Sequence, residues 1–133
     1  MSNATLQHGI LTKNAPAFTV AVGLCALLGL ADVAGTAGIG ADDAPPLFVV
    51  LTGTVLGLVT LAAALPALRG SGPGLLTVLG ARFVSALLGF GVYFDDGAPH
   101  WAEVAMVVFI SVTLAAFGLL AVTRQEPARG TRP

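Results

Sequence analysis

Arg82 is the side chain in this sequence whose position calls for chemistry: it stands inside an apolar stretch, between Ala81 and Phe83. A guanidinium stays protonated and presents a planar fork of donors, so within a lipid layer it needs a phosphate, a carboxylate or another acceptor. Asp32 lies near the end of an earlier apolar stretch, and Glu103 near the start of the last one. Four further carboxylates, Asp42, Asp43, Asp95 and Asp96, fall in polar breaks, as does His100. With His100 these acids could hold a divalent cation weakly if the two breaks met, but solvated loop charges are the favoured reading. Cys25 is the sole cysteine, which excludes a disulfide framework, a CxxC redox pair and a multi-cysteine metal site. HExxH, GxSxG, P-loop and GxGxxG patterns are all missing, so the expectation is a protein that is not an enzyme, with no catalytic, cofactor-binding or metal residues.

The elements that must position these groups are set by composition. The chain has 133 residues, of which 56% are hydrophobic and 10% charged, and its mean hydropathy is +0.90. Soluble domains carry about 25% charged residues. A water-soluble fold is therefore excluded, and the chain reads as a polytopic membrane protein whose partner is the lipid bilayer. A net charge of -1 without a basic stripe argues against nucleic acid.

Four apolar stretches, about 15–34, 46–68, 75–94 and 101–123, are each long enough to cross a ~30 Å hydrocarbon layer. They predict an all-α, four-transmembrane-helix bundle forming a single domain over residues 1–133, with short tails at 1–14 and 124–133. Pro16, Pro45, Pro46, Pro73 and Pro99 stand at or just before the starts, where a missing N–H costs nothing. Pro66, near the end of the second span, predicts a kink. Lys13, Arg69, Arg124, Arg129 and Arg132 lie in the tails and the middle loop, while the first and third loops have no Lys or Arg. That asymmetry predicts a multi-pass protein of the cell (plasma) membrane with both termini cytoplasmic. The two histidines, His8 and His100, then fall on opposite sides. Phe48, Tyr93, Phe94 and Trp101 lie at the outward edge like an interfacial belt. An alternative treats Lys13, the apolar run and Gly35-Thr36-Ala37 as a cleaved signal peptide, leaving three spans. The tandem pattern below favours four.

Depth bears on Arg82. If it marked the inner surface, residues 83–94 would reach only ~18 Å, so it lies within the layer, ~10 Å deep for a span starting at Leu75. Two uses stay open: a stem snorkelling to inner-leaflet phosphates, or a guanidinium turned into the bundle as an anion site, a headgroup site or the partner of a buried acceptor. Asp32 stands ~25 Å along a helix from Ala15. This height difference argues against a direct Asp32–Arg82 pair and makes Asp32 an interfacial residue of the outer end. Glu103 suits the N-terminal end of the fourth span electrostatically.

The halves also match each other. An offset of 53 lays Asp42-Asp43 on Asp95-Asp96, Pro46 on Pro99, and Val59-Thr60-Leu61-Ala62-Ala63 on Val112-Thr113-Leu114-Ala115-Ala116; an offset of 60 lays Ala26-Leu27-Leu28-Gly29 on Ala86-Leu87-Leu88-Gly89. Two tandem parallel hairpins would follow from a duplication, while chance matching in an Ala, Leu, Val and Gly-rich chain is the alternative. Lipid gives no hydrophobic drive for helix association, so small residues mark packing faces: Gly53 and Gly57 on the second span, Ala81, Ser85 and Gly89 on the third, with Cys25 and Gly29 on the first and Ser111 and Ala115 on the fourth.

The stretch from Arg69 to Arg124 combines a short basic turn, a span with an internal Arg followed by Ser85-Ala86-Leu87-Leu88, a Gly/Pro/Asp loop and a final apolar span. In this it resembles small four-transmembrane-helix proteins of actinobacteria, a group from which no activity or functional residue carries over. The four spans are also similar in number to small multidrug transporters, but the glutamate that those place in mid-span has no counterpart in the first span here. The functional expectation is a non-enzymatic accessory, assembly or homo-oligomeric membrane component. The alternative is a small transporter or channel for an anionic solute or lipid headgroup using Arg82.

Overall fold

The computed structural model describes residues 3–125, with side chains from 16 to 123. The chain is all-helical, with α1 (Asn3–Ala34), a 3-10 turn (Gly35–Gly38), α2 (Leu47–Leu68), α3 (Gly72–Phe90), a second 3-10 turn (Gly91–Phe94) and α4 (His100–Gln125). Four helices are long and apolar enough to cross a membrane, over Pro16–Gly38, Leu47–Leu68, Gly72–Phe94 and His100–Thr123. It is a small integral membrane protein built as a four-helix bundle.

Local chemistry sets the element ends. Ser71 caps α3, its hydroxyl accepting from the Gly74 N–H at 3.1 Å, with Pro73 in the first turn. Gly70, at φ 93°, supplies the left-handed residue that lets α2 turn straight into α3. At the opposite end two longer loops connect α1 to α2 and α3 to α4. Pro66 falls in the last turn of α2. Pro16 does not start a helix as expected but lies inside α1, which continues from Asn3.

The bundle is packed at one end and open at the other. Ala21, Val22 and Cys25 of α1, Ala63, Ala64 and Ala67 of α2, Leu75 and Val78 of α3, and Ala116 and Leu120 of α4 form one buried cluster. All belong to the half next to the short α2–α3 turn. Small residues dominate it, as expected where close backbone approach must replace the hydrophobic drive. Toward the two long loops, α3 and α4 separate: no residue of 83–94 or 100–112 is buried. In that half α1 and α2 pack closely, whereas α3 and its 3-10 turn meet α4 at few points, among them Gly89 against Met106 and Tyr93 against the Glu103 backbone. The tandem halves thus share a helix, a 3-10 turn, a loop and a helix, but the first hairpin is tightly packed and the second splayed.

Candidate functional site: a charge pair across three helices

Helical periodicity aims four polar groups at one point. On α1, Cys25, Leu28, Gly29 and Asp32 recur at the spacing of one helix face. On α3, Val78, Arg82, Ser85 and Gly89 do the same, and α2 contributes Gly57 and Thr60. Between α1 and α2 the glycines allow backbone contact: a Cβ on Gly57 would sit 2.5 Å from the Gly29 carbonyl oxygen and 2.9 Å from Asp32 Cβ, and one on Gly29 would sit 3.0 Å from the Gly57 oxygen. This approach places the Asp32 carboxylate beside Thr60 and across from α3.

Arg82 is 1% exposed and Asp32 13%. The guanidinium Nη2 donates to Asp32 Oδ2 at 2.5 Å, and Nε donates to Thr60 Oγ1 at 3.2 Å. Thr60 in turn donates its hydroxyl proton to the Leu56 carbonyl at 2.8 Å, which orients a lone pair toward Arg82. Ser85 donates to the same carboxylate oxygen at 3.2 Å. The cluster lies where the packed half ends and the open half begins. It is a hydrogen-bonded ion pair of the kind that a lipid layer tolerates, since each charge is met by the other and by hydroxyls.

One sequence-based expectation is corrected by this geometry, and one open question is answered. Of the two uses left open for Arg82, the structure has the guanidinium turned into the bundle as the partner of a buried acceptor, not a stem snorkelling to the headgroups. Asp32 is its direct partner, not an interfacial residue. The depth argument failed because it set the starts of the first and third spans level. The contact with Gly57 and the bonds to Arg82 and Ser85 put Asp32, ~24 Å along α1 from Pro16, at the height of Gly57, ~16 Å from the end of α2, and of Arg82, ~15 Å from the start of α3. α1 is thus displaced along its axis by about one and a half turns. No cap marks a level near Ala15, since the helix runs through it.

Other candidates are distributed differently. Gly57, Ala81, Ser85 and Gly89 all meet neighbouring helices or lie buried, whereas a Cβ on Gly53 would touch nothing. Thr60 went unnoticed as a site residue, although it follows Gly57 on the same face and its counterpart in the tandem register, Thr113, is buried too. Glu103 lies in the first turn of α4 and pairs with His100 Nδ1 at 3.2 Å, while Tyr93 donates to the Glu103 carbonyl at 3.1 Å. Asp42, Asp43, Asp95 and Asp96 are exposed, and among the described residues no three His, Cys, Asp or Glu side chains gather as a metal set. The side chains of His8, Lys13, Arg124, Arg129 and Arg132 lie outside the described residues. A shallow apolar groove between the ends of α2 and α3, lined by Val59, Pro66 and Thr77 among others, includes no member of the ion-pair cluster.

Neither a family model, nor a curated protein, nor a solved structure matches this chain.

Proposed function

We propose that this protein is a non-enzymatic membrane component that works through helix packing, laying the open half of α3 and α4 against a helix of a second copy or of a membrane protein that it accompanies. The observation that carries the reading is the unequal packing of the bundle. A charge pair and a core of small residues fix the four helices in one half, while 83–94 and 100–112 contribute no buried residue to the other. Ser111 and Ala115 are exposed on α4, and small residues on a free face allow the close approach that membrane helix pairs use. The cations at the tails and the α2–α3 turn place both termini on the cytoplasmic side of the cell membrane in this reading.

The competing transporter reading needs Arg82 as a free cation, and Asp32 already neutralises it. A photo-crosslinking amino acid at Leu87, 59% exposed in the open half, tests the packing reading against the same probe at Leu27, 64% exposed on α1. Protein adducts at position 87 and only lipid adducts at position 27 are expected. Lipid adducts alone at both positions would overturn the proposal.

A further inference from the structure

Arg69 follows the last residue of α2 and is exposed, and among the described residues its guanidinium meets no carboxylate. The charge along the sequence is one-sided about it. The α2–α3 turn and the two tails that adjoin this end of the bundle hold Lys13, Arg69, Arg124, Arg129 and Arg132 against Glu126 alone. The two long loops and the first turn of α4, at the other end, hold Asp42, Asp43, Asp95, Asp96 and Glu103 and no Lys or Arg.

Beside this cation the surface is hollowed. Val59, Ala62 and Pro66 of α2 and Pro73, Gly74 and Thr77 of α3 line a shallow apolar groove of about 450 Å³. A Cβ on Gly74 would sit 2.9 Å from the Ala67 nitrogen, so the two helices touch there and close the floor. The Thr77 hydroxyl donates to the Pro73 carbonyl at 2.8 Å, which leaves that wall without a free donor. Ser71 borders the groove at the turn; its oxygen accepts from the Gly74 N–H, and its own proton has no acceptor among the described residues. Arg69 comes one heptad after Ala62, a drift of only ~20° around the helix, so it stands on the stripe that lines the groove. From Arg69 to Val59 the stripe covers ~15 Å, which is one leaflet of a ~30 Å hydrocarbon layer. The groove is thus polar at headgroup height and apolar toward the midplane.

We infer that the groove between α2 and α3 seats one anionic phospholipid of the leaflet on the turn side. Its phosphate meets Arg69 and the Ser71 hydroxyl, and one acyl chain lies along Ala62 toward Val59. An acyl chain asks for no hydrogen bonds and fits a channel between two helices that a third helix, about 10–12 Å across, would only bridge. A guanidinium at the mouth of the groove suits a phosphate, which it can grip with paired donors. The excess of cations at this end favours a headgroup with net negative charge over a zwitterionic one, which brings a cation of its own. The seat lies outside 83–94 and 100–112 and does not depend on what the open half of α3 and α4 packs against.

Native mass spectrometry of the full chain, titrated in detergent with phosphatidylglycerol or with phosphatidylcholine of the same acyl chains, tests this. Wild type is expected to retain one phosphatidylglycerol more tightly than phosphatidylcholine. Arg69→Gln is expected to weaken phosphatidylglycerol binding about fivefold, the worth of one cation near the headgroups. Arg129→Gln, which removes the same charge from the tail, is expected to leave it unchanged. Ala62→Phe, which fills the groove and keeps every charge, is expected to abolish retention while the helical circular dichroism spectrum stays that of wild type. Equal retention of the two lipids by wild type, equal losses in Arg69→Gln and Arg129→Gln, or retention that a folded Ala62→Phe leaves intact overturns the inference. A dimer in place of the lipid-bound monomer, lost in Ala62→Phe, would assign the groove to a second copy and overturn it as well. If Ala62→Phe does not fold, the comparison of Arg69→Gln with Arg129→Gln decides alone.

Discussion

Gly57 and Gly53 share a helix and a four-residue spacing, yet the structure gives them opposite fates on substitution by alanine. At Gly57 the added methyl would sit 2.5 Å from the Gly29 carbonyl, 2.9 Å from Asp32 Cβ and 3.2 Å from a Val33 methyl. Two of these neighbours belong to backbone or a Cβ, which cannot rotate away, so α1 must move. Overpacking of this kind costs ~1–3 kcal/mol. At Gly53 the methyl meets nothing, and the helix gains up to ~1 kcal/mol from losing a glycine. The propensity gain applies at both positions and cancels, so the two variants should differ by about 1–3 kcal/mol, with Gly53→Ala at or above wild type. Reversible unfolding by dodecyl sulfate in mixed micelles, followed by circular dichroism, measures the difference. Because Gly57 sets the height and closeness of Asp32 to Arg82, Gly57→Ala should also weaken the charge pair, seen as a smaller additional loss when Arg82→Gln is combined with it. Equal stabilities for the two alanine variants, or full additivity of Gly57→Ala with Arg82→Gln, would refute the packing of α1 on α2 described above.

Two further outcomes follow from contacts in the same half. Asp32→Asn and Arg82→Gln should each destabilise by about 3–5 kcal/mol, because each leaves a buried charge without its partner, while the double variant recovers most of that loss; additive losses in the same unfolding assay would mean that the two side chains do not interact. Gly89→Ala would drive its methyl into the Met106 side chain at a point where the open halves of α3 and α4 meet. The end of that flexible thioether can swing aside, so Gly89→Ala is expected to leave the melting temperature unchanged or slightly raised; a clear drop in a thermal scan would mean that Met106 is held in place.

Much of the site could be read in the residues, though not its assembly. Arg82 declared itself, since a permanent charge in an apolar span has few ways to be solvated. Asp32 carried a signal as well: it lies one heptad after Cys25 and three residues after Gly29, the two residues that mark the packing face of α1. That phase relation outweighs axial depth, because phase is fixed by the helix repeat while depth depends on where a hydropathy window is begun. Thr60 was legible only in company. A threonine in an apolar helix ordinarily bonds its own backbone, as Thr54 and Thr113 do, and only the neighbouring Arg82 makes its second lone pair matter.

By itself the sequence determined that four helices cross a membrane, because 20-residue apolar runs with proline and glycine breaks admit few other structures in lipid, where every backbone group must be satisfied within its own segment. It also determined that one cation needs an acceptor there. Tertiary structure decided which acceptor, through the axial slide of α1 that glycine-to-glycine contact permits. It decided too that the pair closes a packed half and faces an open one, since neither the relative heights of helices nor the spread between α3 and α4 is encoded in the hydropathy of any single span.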